Sequence, residues 1–513
     1  MSFIEKLAKN EKVTTENGAT GYKTSSNVLV DLNFKVPSMR KDASNAFDDF
    51  DRAFDEDREH TLKWLLYLRD IKNGIGERDS FRDILLHLCY TNEKFGTRFV
   101  SLPLECFGRW DDYIYVAYYT NSTTVKSVIL DKIANQLRHD LNNVEKHLPI
   151  SLLAKWMCSA NASSKDTRKI GRWLASNLGY TLKDYRKTLS NLRKYLDVVE
   201  VKMSSNEWHK IDYGKVPSKA NLIYGNAFYE HDTSRREKYL DNLKNGEAKI
   251  NANSMFLYDI VHKYMNNTDR YFYYGHPITY DDTLEALWKA QNKVEGFTDT
   301  LVVRDGSGSM TSYVSGNVSA MDIGDSITLY ASENNKGAYK DKFVTFSSNP
   351  EVVNLSRCKN LKEKLEMLLK YNDCSNTDIY KVFKLVLDTA IKNKLSQDEL
   401  PKQILIISDM EFDDMNNDFW GYSQHKLDKT LFEKISDMYE EYGYKLPKLI
   451  FWNVNSRTNA VPLQQNELGV ILVSGFSKNI FDMVLSTELD PYKALIGVLD
   501  GGRYDCVKEI VAE

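Results

Sequence analysis

Five short apolar runs punctuate the C-terminal part of the chain: TLVVR (300–304), KFVTF (342–346), QILIIS (403–408), KLIFWNV (448–454) and GVILV (469–473). Each is too short for a buried helix and rich in β-branched or aromatic residues, so each reads as a strand. Between them lie stretches of helical period at 320–333, 359–370, 378–394, 427–441 and 478–486. Strands alternating with helices bury both faces of a parallel, doubly wound α/β sheet. VVNL (352–355) follows KFVTF across a short NPE turn, too short for a parallel crossover, which predicts an antiparallel edge strand.

Upstream the period is different. Residues 1–40 are polar, with Thr, Asn and Gly clusters, and predict an extended lead-in. From 41 to 295 the pattern is helical. In TLKWLLYLRDIKNGIGERDSFRDILLHLCY, Leu62, Leu65, Leu66 and Leu68 recur at helical spacing. Gly74 and Gly76 then break the run, and Phe81, Ile84, Leu85 and Leu88 mark a returning helix, so the unit is an αα-hairpin. Further helices follow in VKSVILDKIANQL, ISLLAKWMCSA, IGRWLASNLG and YRKTLSNLRKYLDVV. Stacked hairpins of this kind predict an all-α helical-repeat, HEAT-like region with an extended face. The boundary with an α/β domain spanning 296–513 is placed near EGFTDT (295–300).

Composition excludes several classes. Six cysteines (Cys89, Cys106, Cys158, Cys358, Cys374, Cys506) lack CxxC spacing, which argues against a zinc site or a disulfide framework and suits a reducing cytosol. The N-terminal MSFIEKLAKNEK lacks the apolar core of a signal peptide, and no apolar run approaches a membrane span. The expected location is cytoplasmic, with no membrane partner. A net charge of −4 hides an asymmetry: residues 151–250 alone carry about +8.

Just after the first strand, LVVRDGSGSM places Asp305, Ser307 and Ser309 at alternate positions. Asp and Ser also serve ordinary turns, which is the plainer account. Two equivalent loops add to them, however: Thr377 in CSNTD precedes a helix, and Asp409 in IISDMEF follows a strand. In parallel sheets ligands gather at the carboxyl ends of strands, where the winding reverses. Two aspartates and three hydroxyls form a hard oxygen set with little excess negative charge, which suits Mg²⁺ (or Mn²⁺).

DGSGS, the Thr of NTD and the Asp of SDME match all five positions of the metal-ion-dependent adhesion site (MIDAS) of von Willebrand factor A domains. That resemblance implies a cation that receives a carboxylate from a protein partner. Glu411 lies outside the five-residue pattern and receives no ligand role. The helical half also carries a resemblance. YLRDIKNGIGERDSFRDIL (67–85) and FGRWDD (107–112) resemble the TROVE module of the Ro ribonucleoprotein autoantigen, which joins helical repeats to a von Willebrand A domain. An uncharacterised family with members in plants, large DNA viruses and phages shares longer segments: SLLAKWM (151–157), YRKTLSNLRKYL (185–196), IDYGKVPSKA (211–220) and SDMEFD (408–413).

The Ro resemblance implies that the helical region binds RNA, taking single-stranded ends through a ring and structured RNA outside it. The residues suggest phosphate contacts independently, because 163–173 and 181–196 are dense in Arg168, Lys169, Arg172, Lys183, Arg186, Lys187, Arg193 and Lys194. Tyr185, Tyr195, Trp156 and Trp173 lie among them and could stack bases. A solvated basic face with core aromatics is the alternative.

Catalysis is not expected. HExxH and GxSxG are absent, and GIGER (74–78) lacks the GK[ST] of a phosphate loop. GIGER and WDD read as architecture. The expected function is a non-catalytic RNA-binding scaffold with a metal-dependent partner site, acting in RNA quality control or ribonucleoprotein assembly. The alternatives are a protein-interaction module without RNA and, more remotely, a metal-dependent nuclease.

Overall fold

The apolar runs pair into one sheet. In the computed structural model, residues 24–252, 254–265, 278–294, 297–346, 349–372, 379–410, 431–455, 470–485 and 490–512 are described, with the backbone of 12–14 and 20–22. The strands are β1 (Lys12–Thr14), β2 (Thr20–Tyr22), β3 (Thr300–Asp305), β4 (Tyr313–Ser315), β5 (Val318–Ser319), β6 (Lys342–Phe346), β7 (Val352–Asn354), β8 (Gln403–Ser408), β9 (Lys448–Asn453) and β10 (Val470–Ser474). Six of them form a sheet in the order β10-β9-β8-β3-β6-β7, and the pairs β1-β2 and β4-β5 make two small ribbons. Strands β3, β6, β8, β9 and β10 run parallel, whereas β7 is antiparallel to β6 at the edge. The expected α/β class and the antiparallel edge strand are both present.

The helix Ala320–Asn334 follows the ribbon β4-β5 and is buried from Ala320 to Ser332. Its start is fixed by a capping box: Asp322 N–H donates to Ser319 Oγ at 3.1 Å, and Ser319 N–H donates to Asp322 Oδ2 at 2.9 Å. Val303, Phe346, Ile404, Ile406, Phe451 and Leu472 from five strands share one core cluster with Val382, Phe383 and Leu387 of the helix Ile379–Asn393.

Two compact units divide the chain, and neither is continuous: Met1–Asp57 with Met255–Gly501, and Arg58–Ser254 with Gly502–Glu513. They depart from a single boundary near 295. The helix Val28–Phe34 lies where an extended lead-in was expected; all seven residues are buried, and Val30 and Phe34 join the α/β core cluster. Asn27 caps it by accepting from Val30 N–H at 3.0 Å. Its last carbonyls are also taken, since Asn453 Nδ2 donates to Phe34 O at 3.0 Å and Ser474 Oγ donates to Asn33 O.

The helices Leu257–Met265 and Asp282–Lys289, expected in the helical region, likewise belong to the α/β unit. Glu285, on the second of these, accepts from the backbone N–H groups of Leu361 and Lys362 at 3.0 Å each. It thus holds the N-terminal end of the helix Leu361–Leu369, where free N–H groups favour a carboxylate. Glu285→Ala is expected to cost about 2 kcal/mol, the upper end for loss of a helix cap because the carboxylate is buried, measurable by urea unfolding.

In the second unit the helices Arg58–Arg69 and Asp79–Thr91 form the expected hairpin. Leu62, Leu65, Leu66, Leu68, Phe81, Ile84, Leu85 and Leu88 are all buried, as their spacing requires. Gly76 turns the chain at φ +82°. The C-terminal segment returns to this unit, where Tyr504 Oη donates to Asp70 Oδ2 at 3.2 Å and Arg503 pairs with the same carboxylate. No helix among the described residues is long and apolar enough to cross a membrane.

Candidate metal centre and basic helical face

After β3 the chain crosses to β6 on one side, then returns to β8 on the other. The winding therefore reverses between β3 and β8, and in parallel sheets ligands gather at the carboxyl ends of strands at such a point. Asp305 ends β3 and is 1% exposed, while Asp409 directly follows β8 and is 0% exposed. Topology thus brings together two carboxylates separated by a hundred residues of chain.

Asp305 Oδ1 accepts from Ser307 N–H at 2.9 Å, and its Oδ2 accepts from Ser408 Oγ at 2.6 Å. Ser307 Oγ lies 2.9 Å from Ser309 Oγ. Burial raises the Asp305 carboxyl above its ordinary value, opposed by hydrogen bonds from Ser408 and Ser307 and by the charge of Arg304. Thr377 lies outside the described residues, as does Glu411.

Ser408 and Arg304 are the functional neighbours that reading the sequence missed. Ser408 opens a row of polar side chains across the sheet, paired in register with Asn453, which pairs in turn with Ser474. The outer two are occupied by carbonyls of the helix Val28–Phe34, which leaves Ser408 to serve Asp305. Arg304 is 1% exposed, and its Nε donates to Asp325 Oδ1 at 2.7 Å. Its other nitrogens donate to Tyr371 O at 3.3 Å and Asn372 Oδ1 at 2.5 Å. A lone arginine inside an apolar strand was the signal for it. Gly306 is forced here, because a Cβ would come within 2.9 Å of Tyr371 O and 3.0 Å of Arg304.

Asp325 neutralises Arg304, so Asp305 and Asp409 leave two carboxyl groups beside two hydroxyls. Among the described residues no group of three or more His, Cys, Asp or Glu side chains could hold a metal ion. A cation here would therefore rest on hydroxyls and two carboxylates, a hard set that fits a small divalent ion. The residues present suit the group.

The basic candidates lie on two helices, Lys165–Asn177 and Leu182–Tyr195. Lys169, Arg172, Lys183, Arg186, Lys187 and Lys194 are exposed. Lys183, Lys187 and Lys194 fall on one stripe by helical spacing. Arg168 is half-buried and donates to Ala162 O at 2.9 Å. Arg193 is set apart from the others: it donates to Ala154 O at 2.8 Å, Ser159 Oγ at 2.7 Å and Met157 O at 2.6 Å. Burial pulls its guanidinium below the ordinary value. Arg193 therefore clamps the 154–159 turn.

The aromatic residues among these cations are engaged in packing. Tyr185 is buried and donates to Cys158 O at 2.8 Å, and Trp173 packs edge-on against Tyr118 at 5.3 Å. Arg109 covers Trp156 at 4.1 Å, and Tyr195 Oη donates to Leu148 O at 3.0 Å. Tyr185 is closed to solvent, and Trp156, Trp173 and Tyr195 are half-buried.

The GRWDD segment forms a buried ion network. Asp112 is 0% exposed and accepts from Arg69 Nε and Arg82 Nε at 2.7 Å each, as well as from Arg109 N–H at 2.9 Å. Arg82 also pairs with Asp111 at 2.9 Å.

Comparison with known proteins bears on both units. Residues 299–494 match the family model described as Domain of unknown function (DUF7788), and residues 125–296 match Domain of unknown function (DUF2828). The chain is 27% identical over 522 residues to uncharacterized protein L728 of Acanthamoeba polyphaga mimivirus, covering 95% of this chain and 87% of that protein. The crystal structure of Deinococcus radiodurans RO (RSR) protein aligns at 13% identity and a TM-score of 0.31, over 91% of this chain and 93% of that one.

Proposed function

We propose that this protein is a non-catalytic scaffold with two binding activities. In the α/β unit, Asp305, Ser307, Ser309 and Asp409, with Thr377, hold Mg²⁺ or Mn²⁺ and offer it to a carboxylate of a protein partner. In the helical unit, the exposed cations of 165–195 contact the phosphates of RNA. The observation that carries the first activity is the meeting of buried Asp305 and Asp409 at the point where the sheet reverses its winding. A bound divalent ion would supply the positive charge that attracts the partner's carboxylate. Asp305 would be held in place for it by Ser408, and Arg304 would be kept from repelling it by Asp325.

For the second activity the support is electrostatic. Residues 151–198 hold ten Lys and Arg against three Asp, and six of the basic residues are exposed candidates on two successive helices. Such a face binds sequence-independently, by displacing counterions. Binding of a single-stranded RNA should fall linearly with salt on a log–log plot. Changing Lys183, Lys187 and Lys194 together to Gln should flatten the slope by about 2, at about 0.7 for each phosphate no longer neutralised. Filter binding at low salt with single-stranded and hairpin RNAs decides the matter.

The packed state of Tyr185, Trp173 and Trp156 favours one other reading, a protein-interaction module that makes no use of RNA. Absence of saturable binding to either RNA would leave that reading as the better account.

A further inference from the structure

A second feature of the helical unit is a groove that begins shortly after the basic helices 165–195 in the chain. It is a shallow, open groove of about 650 Å³, lined by Lys210, Arg235, Lys238 and Lys249, with Tyr213 and Tyr239 forming part of the wall. Asp212 is the one acidic residue lining it, so the lining residues sum to +3. The helix Thr233–Lys244 presents Arg235, Lys238, Tyr239 and Asn242 at helical spacing, and all four line the same groove.

The walls are held in place. Arg235 donates to Ile211 O at 2.7 Å and to Asp232 Oδ2 at 2.8 Å, which fixes its guanidinium. Tyr239 Oη donates to Lys249 O at 2.8 Å, and Lys202 Nζ donates to Lys210 O at 3.0 Å. Asn251 Nδ2 ties down Gly214 O at 3.2 Å. Lys238 and Lys249 are exposed and carry no ion pair among the described residues. Burial pushes the Tyr239 phenol up to about 12 and raises that of Tyr213 as well, so both rings stay neutral and put no charge against an anion.

Arg235 is paired with Asp232 and Lys210 with Glu207, so Lys238 and Lys249 supply the charge open to a ligand, which suits a phosphate with an attached apolar part. Four backbone carbonyls around the groove are tied by side-chain donors, which fixes its shape. We propose that this groove binds the terminal phosphate of a nucleotide, with the sugar and base along the tyrosine wall. Two sources share that chemistry: a free mononucleotide and the phosphorylated end of an RNA strand. The proposal does not depend on the basic face of 165–195.

The test uses the full chain and three probes: AMP, a short single-stranded RNA with a 5′-phosphate, and the same RNA with a 5′-hydroxyl. Binding is followed by calorimetry and fluorescence anisotropy. The phosphorylated RNA is expected to bind more tightly than its 5′-hydroxyl counterpart. Lys238→Ala with Lys249→Ala should weaken the phosphate-bearing probes by about tenfold or more, the usual weight of charge-assisted hydrogen bonds. Both residues are exposed, so the unfolding midpoint should not move. Comparable affinity for AMP would identify the free nucleotide as the source, whereas phosphate-dependent binding of RNA alone would identify the strand end. The Lys183, Lys187 and Lys194 substitutions should lower the salt slope for RNA yet leave AMP binding unchanged. The proposal is overturned if AMP does not bind and the 5′-phosphate and 5′-hydroxyl RNAs bind alike, or if the double variant binds the phosphate-bearing probes as the wild type does.

Discussion

Replacing Asp112 with alanine is expected to destabilise the helical unit by about 3–5 kcal/mol, the cost of stripping one partner from a buried ion cluster. The carboxylate is 0% exposed and is the acceptor for both Arg69 Nε and Arg82 Nε at 2.7 Å. Without it Arg69, itself 2% exposed, would keep a buried positive charge with nothing opposite. The loss is compounded at the helix Trp110–Tyr119, whose N-terminal turn Asp112 closes by accepting from Arg109 N–H. Gly108 shows how tightly this corner is packed, since a Cβ there would come within 2.4 Å of the Asp112 carboxylate. Asp111 provides the control. Its side chain is 22% exposed, so Asp111→Ala should cost well under half as much. Urea unfolding of the two variants, followed by circular dichroism, makes the comparison. Equal losses for both would mean that the buried network is not what holds this corner.

At the other unit, Asp305→Ala is expected to lower Mg²⁺ or Mn²⁺ affinity by at least about a hundredfold, more than the loss of a supporting residue usually costs. The metal-free variant should still fold, although Ser307 N–H and Ser408 Oγ lose their acceptor. A carboxylate that burial pushes to a higher pKa resists ionising, so the folded state retains a proton that the unfolded chain releases. Metal-free wild-type protein should therefore lose stability as pH rises from the ordinary carboxylate range through the raised Asp305 value. Asp305→Ala should flatten that dependence. Added cation should protect the wild type against thermal unfolding, by about 2.7 kcal/mol at a hundred times the dissociation constant, and leave the variant unprotected. Unchanged metal affinity by calorimetry in Asp305→Ala and Asp409→Ala would remove the metal from the account.

Both experiments need the full chain. A fragment cut at residue 296 would discard Val28–Phe34, whose Val30 and Phe34 belong to the α/β core cluster, and Glu285, which caps Leu361–Leu369. It would also leave Asn453 and Ser474 without the helix carbonyls they donate to.

The α/β class was legible because a strand buried on both faces must be apolar throughout, and such runs separated by helical period have few other solutions. The site was legible for the same reason: Asp305 and Asp409 each follow a strand, and the ends of parallel strands share one edge of the sheet. The αα-hairpin of 58–91 was equally plain, since its leucines recur every three or four residues and a glycine pair divides them.

Other features depend on partners distant in sequence, which periodicity does not reveal. The helix 28–34 lies in what reads as an extended lead-in, and helical spacing in 257–265 shows a buried face but not which core receives it. Only the folded chain assigns both to the α/β unit. Arg193 and Arg172 look alike as letters on basic helices, yet the backbone carbonyls of 154 and 157 claim the first and leave the second exposed. Ser408 ends a strand as many serines do, and becomes the donor to Asp305 only when β8 lies beside β3. Element types, the sheet class and the oxygens at the carboxyl edge could be read from the residues alone, because local period and strand ends encode them. The ownership of helices, the split between structural and accessible cations, and the groove at 210–249 emerged only on folding, because each depends on contacts between residues far apart in the chain.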